Sequence, residues 1–95
     1  MSRTIKELAE LESRVYVHLA NDKVGNDFLR QAEAEGFTFG DGVKPTEREY
    51  AEIMAINHDG TINYVGAVGM MAYGSGAKMI GNKQLIRIEF DKWNE

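Results

Sequence analysis

Tyr50–Gly66 reads YAEIMAINHDGTINYVG, and it carries the clearest local signal in the chain. Two runs rich in β-branched and apolar residues flank His58-Asp59-Gly60. Asp-Gly tolerates the positive φ of a tight turn, so the runs predict two antiparallel strands joined as a hairpin. Other segments must then supply the rest of a sheet and its cover.

Upstream, Thr4 and Glu7 have the T-x-x-E spacing of a capping box. Ile5, Leu8, Ala9 and Leu11 or Glu12 follow at helical spacing, which predicts a short helix ending near Ser13. In RVYVHL, Arg14–Leu19, Val15, Val17 and Leu19 alternate with Tyr16 and His18, the pattern of a strand with one buried face. Asn21 or Asp22 can cap a second helix. Its apolar stripe is Val24, Phe28, Leu29 and Ala32, and Gly36 is suited to the position just past its end. Downstream of the hairpin, AVGMMAYGSGAKMIGNKQ is rich in glycine and fits either an edge strand with a long loop or a loop with one helical turn. LIRIEFDKW closes the sequence as a strand, with Ile86, Ile88 and Phe90 alternating with Arg87 and Glu89. The sum is one small α+β domain over residues 1–95: a mostly antiparallel sheet of about four to five strands with one or two flanking helices.

Composition narrows the functions. Ninety-five residues with 43% hydrophobic content can form one modest core, and oligomerisation would help to stabilise it. The net charge of −4 argues against a broad surface for DNA, RNA or membrane, without excluding a local basic pocket. Without cysteine there is neither a disulfide framework nor a thiolate site. No apolar signal-like run opens the sequence, so a cytoplasmic protein is expected. The two histidines, His18 and His58, are not at metal-ligand spacing, and no metal or cofactor is expected. Ser75 in YGSGA lacks the strand-to-helix context of a nucleophile elbow.

Two glycine-rich segments remain. In GFTFGDGVKPTERE, Gly36–Glu49, Val43 and Pro45 interrupt any Walker pattern. The backbone around Gly40 and Gly42 could form an anion nest, with Lys44 and Arg48 adding charge. Local chemistry favours a plain turn, rigidified by Pro45. In MMAYGSGAKMIGNK, Met70–Lys83, Tyr73 could stack on a nucleobase, with Ala72 beside it, and Asn82 could bond a base edge or a ribose. The competing reading packs Tyr73 on the sheet and uses Asn82 in a Gly-Asn turn into the last strand. Arg87, on the strand face opposite Ile86 and Ile88, could reach a phosphate or sit in water.

The block EGFTFGDGVKPTER, the hairpin DGTINYVG, GMMAYG and the closing LIRIEFDKW resemble the Thoeris anti-defense 1 family of small phage proteins. The resemblance spans about Arg14 to Trp93. It implies a sheet with flanking helices and a sponge function: binding cyclic ADP-ribose isomers made by a bacterial defence system without degrading them. It also implies homo-oligomers, dimers or hexamers, with ligand pockets between subunits and separate sites for cyclic oligonucleotides. By resemblance the stacking aromatic falls at Tyr73, a ligand-contacting asparagine at Asn82, and the arginine of the second site at Arg48. Tyr73 stands where the family has phenylalanine, which keeps the stacking face. The expectation is thus a non-enzymatic binder of small cyclic nucleotides. Two alternatives stand beside it: an inhibitor that binds a host defence protein, and a small enzyme that cleaves the signal using His18 or His58.

Overall fold

The computed structural model describes residues 3–80 and 82–93, and the side chain of Val68 lies outside the described set. Gly81, half of the predicted Gly-Asn turn, therefore also falls outside it. The elements are α1 (Ile5–Ala9), β1 (Arg14–His18), α2 (Asp22–Ala34), β2 (Thr38–Phe39), a 3-10 turn (Pro45–Glu47), β3 (Ile53–Ile56), β4 (Thr61–Tyr64), α3 (Ala67–Gly74), β5 (Met79–Ile80), β6 (Lys83–Glu89) and α4 (Phe90–Trp93). Six strands form a mixed sheet in the order β2-β4-β3-β1-β6-β5.

The hairpin forms as its sequence predicts. β3 and β4 pair antiparallel with Ile56 opposite Ile62, and Gly60 takes φ +85 in the turn. The Asp59 carboxylate accepts from the Thr61 amide and hydroxyl, fixing the bend. β1 lies against β3 antiparallel and against β6 parallel. β2 and β4 are also parallel, so three of the five pairings are antiparallel and the sheet is mixed.

The capping box at α1 is present, with the Thr4 hydroxyl accepting from the Glu7 amide at 3.3 Å. The Glu35 carboxylate adds a second anchor by accepting from the amides of Ile5 (2.9 Å) and Lys6 (2.8 Å). A carboxylate there also opposes the positive end of the helix dipole. α1 stops at Ala9, short of the expected Ser13, and Leu11 is exposed and adds nothing to the stripe. Asn21 caps α2 through the Val24 amide, the expected stripe is buried, and Gly36 follows with φ +89.

α1, α2 and α4 cover one sheet face, packing Ile5, Phe28 and Phe90 against Val15, Val17, Met54 and Ile62. α3 covers the other, where Ala72 and Tyr73 meet Tyr16, Ile53, Ala55 and Leu85. β1 is therefore central and buried on both faces, not on the one that its alternation suggested. Tyr16 is only 7% exposed. The closing strand stops at Glu89. Phe90 turns into α4 instead, which brings its ring edge-on to Phe28 at 5.2 Å. The segment after the hairpin combines the two expected options, giving one eight-residue helix and a two-residue edge strand.

Candidate functional site

The six candidate residues separate into two groups on opposite faces of the sheet. Lys44 and Arg48 flank the 3-10 turn that packs on α2, whereas Ala72 and Tyr73 belong to α3 and Arg87 lies beneath that helix. Asn82 is exposed in the turn entering β6.

In the first group, two of the Gly40–Val43 amides are already used. The Gly42 amide donates to the Phe39 carbonyl at 2.8 Å, and the Val43 amide to the Asp41 carboxylate at 3.3 Å. Gly42, at φ +87, closes a tight turn, and its own amide and that of Val43 are not free for a nest. Arg48 is held on two sides. Its guanidinium lies 4.8 Å from the Phe39 ring centroid and donates to Asp41 at 2.5 Å. That bond holds the Asp41 carboxyl below the usual range. Arg48 shares a concavity of about 270 Å³ with Asn26, Leu29, Arg30 and Thr46. Arg30 is paired with Asp27 on its own helix. Thr46 donates from both its amide and its hydroxyl to Glu33, which lowers the Glu33 pKa. Lys44 is exposed and adds charge near Glu33.

In the second group, Arg87 donates from Nε to the Tyr73 carbonyl at 3.1 Å and from its terminal nitrogen to the Ala77 carbonyl. Its guanidinium lies 5.8 Å from the Tyr73 ring. A cation at the end of α3 suits the negative end of the helix dipole, so Arg87 holds the helix to the sheet. Tyr73 stacks on His18 with centroids 6.0 Å apart. Burial, aided by the Glu89 charge, raises the Tyr73 pKa. His18 is held at both nitrogens, with Nδ1 2.8 Å from Glu89 and Nε2 3.0 Å from Glu52. Burial alone would lower the His18 pKa, but hydrogen bonds and charges from Glu89 and Glu52 together raise it.

Both histidines are tied to the fold through ring nitrogens. The Nδ1 atom of His58 is hydrogen-bonded to the Ala9 carbonyl. The Ser75 hydroxyl donates to Ala72, in the cap of α3. Among the described residues, no group of three or more His, Asp or Glu could hold a metal ion. No described helix is long and apolar enough to cross a membrane.

Sequence reasoning missed the clamp on His18, because Glu52 and Glu89 are far away in sequence and meet only through the sheet register. It also missed the exposed methionines Met70, Met71 and Met79. Their clustering around a helix without a polar stripe was the available signal. Comparison with known proteins finds no matching family model, curated protein or solved structure.

Proposed function

We propose that the chain is a non-enzymatic binding protein that sequesters a small phosphorylated ligand of the nucleotide class. The observation carrying this reading is the concavity in which the Arg30 and Arg48 side chains converge with Thr46 and Asn26. A guanidinium has five N–H donors, and the Arg48 contact with Asp41 leaves most of them available to a phosphate. Stacking on Phe39 holds that guanidinium in one plane before any ligand arrives, which lowers the entropy lost on binding. Asp27 and Asp41 offset part of the charge, which favours a ligand with further polar groups over a bare phosphate. The resemblance of the surrounding block to the Thoeris anti-defense 1 family makes cyclic ADP-ribose isomers, and cyclic di- or trinucleotides, the first ligands to test. On that reading the protein is a phage sponge that works in the host cytoplasm, assembled as a homo-oligomer.

A second reading is supported by the apolar surface of α3 and β5. Met71 is 72% exposed, Met79 54% and Met70 45%. Flexible thioether side chains adapt to varied partners, as an inhibitor docking on a host protein would require.

Calorimetric titration with a cyclic ADP-ribose isomer and with a cyclic trinucleotide, against wild type, Arg48→Ala and Met71→Glu, separates the two. The sponge reading predicts binding of at least one nucleotide that weakens at least about tenfold in Arg48→Ala, the loss of one charge-assisted contact. It predicts little change in Met71→Glu. Equal affinity in Arg48→Ala would remove this concavity from the account.

A further inference from the structure

Arg30, Arg48 and Arg87 are all engaged with carboxylates or carbonyls. Arg14 and Lys83 differ. The chain has 15 acidic residues, yet neither side chain has an ion-pair or hydrogen-bond partner among the described residues. Both line one concavity of about 330 Å³.

The sheet register explains why they meet. β1 and β6 are parallel, with Arg14 opposite Leu85, so Lys83 opens β6 at the same end as Arg14 opens β1. β3 runs the other way, with Val15 opposite Ile56, so Asn57 and His58 leave the sheet at that end too. Three strands thus bring two cations and the hairpin turn to one rim. Tyr16 also lines the concavity. It is 7% exposed, and its hydroxyl end lies beside Gly69 of α3, outside the lining, so Tyr16 serves as wall. Asp59 is the single carboxylate in the lining, and it already accepts two hydrogen bonds from Thr61.

We propose that this concavity is an anion site for a phosphate monoester on a small polar body, with Arg14 and Lys83 as its charge partners. Two cations from different strands suit a dianion, and the guanidinium fork matches two phosphate oxygens. The volume exceeds what phosphate alone fills and leaves room for a small polar body such as a sugar. The site shares no lining residue with the Arg48 concavity. It stands whether or not that concavity holds a nucleotide.

The test is a titration of isotope-labelled protein with ribose 5-phosphate, and in parallel with inorganic phosphate, followed by amide shifts in two-dimensional NMR. Saturable shifts are expected at residues 13–16, 57–59 and 83 with either probe. Arg14→Ala with Lys83→Ala should weaken binding at least about tenfold. Arg14→Lys with Lys83→Arg should keep it. Both positions are exposed, and the dispersion of the same spectra reports folding directly. No shift at this rim, shifts confined to the Arg48 concavity, or unchanged affinity in the double alanine variant would overturn the proposal.

Discussion

Gly25 occupies the middle of α2, where glycine is among the poorest helix formers. Its reason is contact. A Cβ built there would lie 2.3 Å from the Tyr50 ring, and the Tyr50 hydroxyl donates to Asp22 one turn earlier at 2.5 Å. Helix propensity alone would make Gly25→Ala stabilising by about 1 kcal/mol. Overpacking costs typically about 1–3 kcal/mol and here involves the base of a ring, not a flexible tip. The net expectation is destabilisation, measured by denaturant unfolding. In a Tyr50→Ala background the same substitution should turn stabilising, and a gain in the native background would contradict the contact account. Residues whose role is local were legible: Thr4, Asn21, Gly36 and Gly60 act within a few positions of themselves. Gly25 was not, since its partner is 25 positions away in the sequence. Nor was the tie from Glu35 to the start of α1.

The His18 clamp belongs to the scale of elements. It joins β1 to the segment before β3 through Glu52 and to the end of β6 through Glu89. The folded pKa lies above the ordinary 6.5 because the two glutamates outweigh burial. A raised folded pKa means that the native state binds the proton more tightly than the unfolded chain. The clamp's contribution is therefore fully present below the unfolded pKa of about 6.5 and is lost as pH rises through the folded value. Unfolding of wild type and His18→Gln, compared from about pH 5.5 to pH 9, should show a difference that shrinks as pH rises. A difference independent of pH would mean that His18 contributes only packing.

Elements also mark how far local pattern reached. The hairpin, α2 and the start of α1 were readable because caps, turn residues and periodicity agreed there. α3 was not, since AVGMMAYG has no polar face to set a period and opens without a side-chain cap. The parallel pairing of β1 with β6 joins segments about 70 residues apart, and alternation within either strand does not reveal its partner's direction. Alternation in β1 suggested one buried face because Tyr16 and His18 look polar, yet a central strand covered by α3 buries Tyr16 as well. The candidate sites follow the same division. Arg48 could be singled out within its own loop. The rim of Arg14, Asn57 and Lys83 arises only when three strands end together.

At the scale of the whole molecule, the Cα radius of gyration is 12.3 Å, close to the roughly 12 Å of a compact chain of this length. A net charge of −4 repels an anionic ligand at long range. Screening over about 8 Å at physiological salt leaves the outcome to the cations within a concavity. Sequestration, unlike catalysis, asks the molecule only to bind and hold. Arg30 and Arg48 are held by carboxylates, and Arg48 also by stacking on Phe39, so the cations of their concavity are set before a ligand arrives.

The central claim is that a small nucleotide is held and returned unchanged. The measurement that tests it most directly is capture and release. The protein is mixed with a limiting amount of a cyclic ADP-ribose isomer or a cyclic trinucleotide and filtered, and the retained ligand is freed by heat and identified by chromatography. The account predicts that at least one of these ligands is depleted from the filtrate and recovered chemically intact. Recovery of a cleaved product would make the protein an enzyme, and depletion of none of them would contradict nucleotide sequestration.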